Sequence, residues 1–310
     1  MSSCMNRFLK TTAVFFLVLA TVLVVADFLL SRSMQNAHTV GMEIWKDIME
    51  GTANADIVIL GNSRAFDACD REILDSLTGH RAYNLASVGN PFLIQRFRYK
   101  MYREYNRKPQ LIVQFVDDFS LGSTSSPFDP LQYYPWMWCK PFLREMLTIP
   151  IGKLALLHAI IPFQRYRGSR PWALLFRRQR FIQDGFKEVA LFPQPDFHPD
   201  TKLHDFYYSK TTDDVFRDFL RRTTEEGIQV VLVLVPFHDS FHFKDGEKEK
   251  MRQYYDDVAS EAGIPIFDGA SLEIVHDSTL YLDGEHLNMK GSKVFSDTLA
   301  RYLTRYALTD

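Results

Sequence analysis

Residues 56–64 read Asp-Ile-Val-Ile-Leu-Gly-Asn-Ser-Arg, the most informative stretch of the chain. Four consecutive apolar residues bounded by a glycine are typical of a strand that is buried on both faces, as in a parallel sheet. Gly61 permits a tight turn after this strand, and the helix that follows presents backbone N–H groups toward Ser63. We therefore predict a parallel sheet with Ser63 at its carboxyl edge, where such sheets place their functional sites.

Strand and helix patterns alternate along the rest of the chain. Apolar runs predict strands at 81–85, 111–116, 230–235 and 265–267, and amphipathic patterns predict helices at 91–105, 247–262 and 290–306. This alternation indicates βαβ units. We expect an α/β fold with a doubly wound, flavodoxin-like parallel sheet between two helix layers.

An apolar segment precedes this domain. Residues 11–30 are long enough to cross a bilayer core of about 30 Å, and their only charged residue is Asp27. Arg7 and Lys10 come before the segment. The positive-inside rule then predicts a cytoplasmic N-terminus at 1–10, a transmembrane anchor at 11–30 and a globular part in the periplasm or extracellular space.

Residues 24–26, Val-Val-Ala, are also acceptable as a leader cleavage site. The apolar run continues through Leu30, which favours a retained anchor, although the sequence leaves both possibilities open. A linker at 31–55 would then lead into a domain at 56–310.

An insertion of different composition interrupts the domain at about 122–210. It lacks a clear strand pattern and contains many aromatic residues together with a cluster of arginines. The aromatic residues are Tyr133, Tyr134, Trp136, Trp138, Phe163, Tyr166, Trp172 and Phe176, and the arginines are Arg165, Arg167, Arg170, Arg177, Arg178 and Arg180. We expect a mostly helical insertion, with aromatics that form its own core or a surface for glycan or anionic lipid headgroups.

Composition narrows the possible functions. The 310 residues include 36 basic and 38 acidic side chains, and this balance argues against nucleic acid as a partner. Hydrophobic residues make up 46%, which excludes a wholly disordered chain. Cys69 and Cys139 could form a disulfide or remain thiols. The chain shows neither a zinc-type Cys/His array nor a nucleotide-binding glycine motif, so we expect no metal and no cofactor.

Two further stretches carry candidate functional residues. Asp283 and His286 are three residues apart near the C-terminus, a spacing that lets the carboxylate orient the imidazole as a general base. Residues 84–90 read Asn-Leu-Ala-Ser-Val-Gly-Asn, and Gly89 would let the backbone approach an oxyanion closely. Taken singly, each is more often an ordinary loop, and Ser63 would more often be part of a helix cap.

Together these motifs resemble those of the SGNH/GDSL hydrolase superfamily. Gly61-Asn62-Ser63 is similar to its Gly-Asp-Ser nucleophile block, and 283–291 is similar to its final Asp-x-x-His block with a following Leu-Asn and glycine. The resemblance implies a catalytic set of Ser63, His286 and Asp283. It also implies an oxyanion hole formed by the backbone N–H groups of Ser63 and Gly89, with Asn90 as a further candidate.

One block departs from the family pattern. The third block of the family is Gly-x-Asn-Asp, and its asparagine donates to the oxyanion, whereas residues 114–118 read Gln-Phe-Val-Asp-Asp. Asn90 or Asn62 could take over that role. The departure resembles the membrane-anchored, extracytoplasmic branch of the superfamily, which includes the D-alanyl-lipoteichoic acid biosynthesis and alginate O-acetyltransferase proteins.

The resemblance implies a serine O-acyl esterase or acyltransferase that acts on an acylated glycan or another envelope polymer, with a membrane acyltransferase as a further candidate partner. The alternative is a non-catalytic binding or assembly subunit with the same fold, because the third block is altered. Arg64 and His238 are candidate substrate contacts. Asp117 and Asp118 could act as an acid–base pair, although a role in capping the following turn is more common.

Overall fold

The structure is a computed structural model that describes residues 2–37, 39–122, 129–149, 161–168, 171, 197–306 and 308. The chain divides into two compact units. The first unit comprises Met1–Lys46 and Asp129–Arg180, and the second comprises Asp47–Phe128 and Phe181–Asp310.

The second unit is built on a five-stranded parallel sheet. Its strands are β1 (Ile57–Leu60), β2 (Ala82–Asn84), β3 (Leu111–Val116), β5 (Gln229–Leu234) and β7 (Ile266–Asp268), in the order β2-β1-β3-β5-β7. Ile57 pairs with both Ala82 and Leu111, which places β1 between β2 and β3. Two short strands, β4 (Leu203–His204) and β6 (His242–Phe243), form a separate parallel pair. The predicted α/β class and the flavodoxin-like parallel sheet are confirmed.

Helices cover both faces of this sheet. The helices of this unit are α3 (Ser63–Ala68), α4 (Arg71–Thr78), α5 (Phe92–Tyr105), α7 (Lys210–Glu225), α8 (Glu247–Ala262) and α9 (Met289–Tyr306). Neighbouring residues of a strand point to opposite faces. Gln114 donates to Gln95 of α5 at 3.0 Å, whereas the ring of Phe115 lies 6.0 Å from that of Phe295 in α9. The sheet is therefore the middle of three layers.

The turn after β1 requires a glycine. A Cβ atom at Gly61 would lie 2.3 Å from the Cβ of Ala65 and 3.0 Å from that of Phe115. The first distance is shorter than real Cβ atoms show and the second is tighter than most, so the start of α3 can approach β1 and β3 this closely only because residue 61 has no side chain. This close approach sets the position of Ser63.

The first unit combines the N-terminal residues through Lys46 with the part of the insertion between Asp129 and Arg180. Helix α1 (Ser2–Met34) is longer than the predicted anchor, and α2 (Val40–Glu50) begins within the predicted linker. Leu30 and Met34 of α1 pack in one apolar cluster with Leu131 and Tyr166. The end of the apolar helix is thus part of the core of this unit.

Within this core, Asp27 is fully buried and forms an ion pair with buried Arg165. The indole N–H of Trp138 and the backbone N–H of Phe163 also donate to the Asp27 carboxylate, at 3.1 and 2.8 Å. A buried charge needs such partners. They explain how an apolar helix accommodates its single carboxylate.

The insertion differs in part from the prediction. Its described residues include short 3₁₀ turns and the helix α6 (Lys140–Met146), while 197–210 belong to the sheet unit and include β4. Tyr133, Trp136 and Tyr166 are buried, which favours the core role over a binding surface for these residues. The predicted positions 170 and 172–180 lie outside the described residues.

Helix α1 is, over Cys4–Met34, long and apolar enough to cross a membrane by length and composition. Cys69 and Cys139 are both thiols, with no disulfide between them. In α9 Phe295, Leu299 and Leu303 are buried and Val294 is exposed, which agrees with the amphipathic pattern of 290–306.

Replacing Phe295 with alanine should lower the free energy of unfolding by about 3–5 kcal/mol, because it removes a fully buried ring that contacts Phe115 and Phe267. Val294→Ala is the matched control, since this neighbouring side chain is 40% exposed. Urea denaturation of the detergent-solubilised chain measures both. Equal effects of the two substitutions would contradict this packing.

Candidate functional site

Ser63 lies at the carboxyl end of β1, as the first residue of α3. Asn62 caps this helix, because its side-chain oxygen accepts a hydrogen bond from the backbone N–H of Arg64 at 3.0 Å. The glycine turn and the cap together fix the direction of the Ser63 side chain.

His286 contacts Ser63 directly. Its Nε2 atom lies 2.9 Å from Ser63 Oγ, and its Nδ1 atom lies 3.0 Å from both carboxylate oxygens of Asp283. An ionised carboxylate only accepts hydrogen bonds, so Nδ1 carries the proton that it donates to Asp283. Nε2 of the neutral ring is then the acceptor for the Ser63 hydroxyl. The three residues predicted from the motif therefore form one continuous hydrogen-bonded chain.

The loop that carries His286 is held by Asp283 itself. The Oδ1 atom of Asp283 accepts from the backbone N–H groups of Glu285 and His286, at 2.9 and 2.8 Å. The backbone N–H of His198 donates to Leu282 O at 3.2 Å and ties a neighbouring segment to this loop. The carboxylate thus orients both the imidazole and the backbone around it.

The electrostatics of this pair match a base and its orienting group. Burial alone lowers the pKa of His286, but the hydrogen bond and charge of Asp283, with the charges of Asp67 and Glu285, outweigh it and raise the pKa. Burial likewise tends to raise the pKa of Asp283, while His286 and the two backbone N–H groups lower it overall. Asp283 therefore stays ionised, and His286 binds a proton more readily than an ordinary histidine.

The predicted oxyanion residues lie in the loop after β2. The backbone N–H of Ser87 donates to Gly61 O at 3.2 Å, which places this loop beside the nucleophile turn. Gly89 has a φ of 65°, a conformation that favours glycine. Asn90 is buried, and its side-chain amide donates to Ser87 Oγ at 2.7 Å. The roles of Gly89 and Asn90 in an oxyanion hole stay predictions.

Asn62 and Asp117 form a pair in the interior. The side-chain amide of Asn62 donates to the Asp117 carboxylate and also to Ser120 Oγ, the latter at 3.2 Å. Asp117 in turn accepts from the backbone N–H of Ser120 at 2.8 Å. Because the Asn62 amide is engaged here, the structure favours the cap and turn roles over an oxyanion role for Asn62 and an acid–base role for Asp117.

Arg64 is buried, with only 4% of its surface exposed. Its guanidinium forms ion pairs with Asp118 and Glu285 at 2.5 Å and with Asp117 at 3.2 Å. A substrate anion would have to displace these carboxylates. The surroundings of Arg64 therefore favour a structural role instead of the predicted contact with substrate.

His238 lines a cavity of about 350 Å³ next to β6 and the start of α8, together with Phe241, Phe243 and Lys244. Its backbone N–H donates to Gly284 O at 3.0 Å, so this cavity adjoins the loop of His286. Burial lowers the pKa of His238, only partly opposed by Asp239 and Asp277. Contact of His238 with a substrate stays a prediction.

Two nearby acids were not predicted from the sequence. Asp67 follows Ser63 by one helical turn; burial raises its pKa to about 6, with His286 lowering it and Asp283 raising it. The spacing of four in α3 was the available signal for this residue. Glu285 lies within the Asp-x-x-His motif, but its ion pair with Arg64 depends on the folded chain.

Among the residues that the structure describes, no cluster of His, Cys, Asp and Glu suits a metal ion.

Comparison with known proteins adds little to this geometry. No family model and no curated protein matches the chain. One similar solved structure is described as a "putative lipolytic protein of G-D-S-L family" from Desulfitobacterium hafniense; it is 13% identical, with a TM-score of 0.41 over 79% of this chain and 97% of that chain. This likeness is distant and does not define the chemistry of the site.

The titration of His286 should have its midpoint above the ordinary histidine value of about 6.5, since its surroundings favour the protonated ring. NMR of the histidine-labelled chain measures it, with His286→Gln to assign the signal. Asp283→Asn should lower the midpoint. Asp239→Asn is the control, because it removes the partner of His276 instead. A midpoint that is insensitive to Asp283→Asn would contradict the proposed orientation.

Proposed function

We propose that this chain is an SGNH-type serine esterase or acyltransferase. The observation that supports this most directly is the hydrogen-bonded chain from Ser63 Oγ through His286 to Asp283, with distances of 2.9 and 3.0 Å. This geometry is that of a nucleophile, a base and an orienting carboxylate. The motifs at 61–63 and 283–286 support the family in the same way.

In this mechanism His286 accepts the Ser63 proton while Ser63 Oγ attacks the carbonyl carbon of an ester. Asp283 holds the imidazole in the required tautomer and stabilises the imidazolium that forms. Protonated His286 then donates its proton to the leaving alcohol as the tetrahedral intermediate collapses to an acyl-serine. Water or a sugar hydroxyl releases the acyl group, with His286 again as the base, which gives an esterase or a transferase respectively.

The proposed substrate is an O-acylated envelope polysaccharide or a similar glycan. The support is the apolar helix α1, which would hold the site close to a membrane surface outside the cytoplasm. An ester on a polymer is also compatible with a serine that lies at the sheet edge and is partly exposed. If the chain is a transferase, we propose a membrane acyltransferase as the partner that supplies its acyl group.

A non-catalytic binding subunit is the second candidate. The specific observation in its favour is that a carboxylate, Asp117, follows β3, where the related families place an asparagine donor, while the Asn62 amide is already engaged. Loss of one oxyanion donor typically reduces the rate about 100- to 1000-fold. The two candidates therefore differ in whether Ser63 reacts at all.

A fluorophosphonate probe should label the wild-type chain covalently, and Ser63→Ala should abolish the labelling. The reaction needs neutral His286, so its rate should rise with pH through a midpoint above about 6.5. Ser271→Ala is the control, since it removes an exposed serine of the same unit. Gel fluorescence and peptide mass spectrometry measure the labelling. A folded wild type that is not labelled would favour the binding subunit.

We also propose that α1 is a retained anchor. Cleavage after Ala26 would remove most of the helix and leave Asp27 at a new N-terminus. In the structure Asp27 is buried in the core of the first unit, together with Leu30, Ser31 and Met34. The hydroxyl of Tyr166 also donates to Ser31 Oγ at 2.8 Å. Cleavage would keep these residues but would place a new charged amino group on the fully buried Asp27, and a buried charge without a partner is costly.

Mass spectrometry of the membrane-extracted protein should find the residues before Asp27 still attached. Arg165→Met should destabilise the first unit by about 3–5 kcal/mol, because it leaves the Asp27 charge buried without its ion pair. Arg144→Met is the matched control in the same unit, since Arg144 is 69% exposed. Limited proteolysis in detergent compares the two variants. A mature chain that begins near residue 27 would overturn the anchor proposal.

A further inference from the structure

Arg64 and Glu285 are each adjacent in sequence to a member of the candidate triad. Arg64 follows Ser63, and Glu285 precedes His286. In the structure the Nε and Nη2 atoms of Arg64 both donate to Glu285 Oε2, at 3.0 and 2.5 Å. One guanidinium therefore joins the segment that carries the nucleophile to the loop that carries the base.

The other arm of the same guanidinium reaches the end of β3. Its Nη1 atom donates to Asp118 Oδ1 at 2.5 Å and lies 3.2 Å from Asp117 Oδ2. Arg64 thus contacts carboxylates from two segments that are far apart in sequence. A planar group with its donors in a fixed fork restrains relative position better than a single flexible charge does.

Aromatic rings and carboxylates surround the guanidinium of Arg64. The rings of Phe119, Phe237 and Phe241 lie 5.0, 4.8 and 5.4 Å from the guanidinium carbon, at distances typical of cation–π contacts. Burial alone lowers the pKa of Arg64, but the three neighbouring carboxylates outweigh it and raise the pKa. Arg64 is therefore charged at every working pH.

We propose that Arg64 and Glu285 act together as a positioning pair that holds His286 at hydrogen-bonding distance from Ser63. This inference rests on the proposed function for its catalytic consequence, because it concerns the same site. Neither side chain needs to touch the substrate. The Arg64–Glu285 contact holds the turn after β1 at a fixed distance from the loop at 283–286. Asp118, at the end of β3, holds the guanidinium in place.

The positioning pair affects the rate of the reaction through the distance between Ser63 and His286. The transfer of a proton from Ser63 Oγ to His286 Nε2 requires the present 2.9 Å separation or a similar one. A misplacement of about 1 Å in such an arrangement can reduce the rate about 100-fold. A loop released from Arg64 would sample such positions, although Asp283 would still orient the imidazole within the loop.

Glu285→Gln is the central test, because the glutamine has nearly the same shape and the native side chain is 30% exposed. The plateau rate constant of fluorophosphonate labelling should fall about 10- to 100-fold. The midpoint of its pH profile should move to lower pH, because Asp67, Asp283 and Glu285 are the charges that raise the pKa of His286 and one of them is removed. Glu285→Asp keeps the charge and should restore the midpoint.

Glu261→Gln is the matched control, since Glu261 forms an ion pair with an arginine, Arg217, between two helices of the same unit. It should leave the rate constant and the midpoint unchanged. A merely structural role for Glu285 would reduce the fraction of labelled protein without changing the rate constant or the midpoint. That result, or a wild-type profile in Glu285→Gln, would overturn the positioning proposal.

NMR separates this proposal from the proposed function. The titration of His286 can be followed even in protein that does not react with the probe. Glu285→Gln should lower the midpoint of this titration, and Arg64→Lys should broaden or shift the His286 signal. An unlabelled wild type with these shifts would overturn the enzyme proposal alone. A labelled wild type whose His286 signal ignores both substitutions would overturn the positioning pair alone.

Discussion

The carboxyl ends of the parallel strands lie along one edge of the sheet, and the contact between Ser63 and His286 depends on that constraint. Strand β1 lies between β2 and β3, so the turns that follow these three strands are neighbours. The loop before α9 returns to the same edge. The hydrogen bond between His286 and Ser63 can therefore join residues that are 223 positions apart.

Much of this edge could be predicted from the sequence. Buried strands such as Ile57–Leu60 are continuous apolar runs, and the Ser63, Asp283 and His286 motifs have fixed local spacing. The partners of Arg64 could not be predicted, because the sequence around an arginine at a helix start does not show whether its side chain faces solvent or three carboxylates. The burial of Asp27 could not be predicted either, because its partner Arg165 comes from the insertion, far away in sequence.

The pairing of Asn62 with Asp117 joins the polar residues that follow β1 and β3. The interior stays satisfied, because Asn62 donates to Asp117 and Ser120. An ionised carboxylate cannot donate to a developing negative charge, so stabilisation of an oxyanion would depend on backbone N–H groups and on the loop at 84–90.

The ion pair in the first unit also sets an order of events during biosynthesis. Asp27 and Arg165 are separated by 138 residues. At about 5–20 residues per second, roughly 7–28 seconds pass between the synthesis of the two side chains. During that interval the Asp27 carboxylate lacks the arginine that it pairs with in the folded unit. The end of α1 can therefore reach its final packing against Leu131 and Tyr166 only after the insertion has been synthesised.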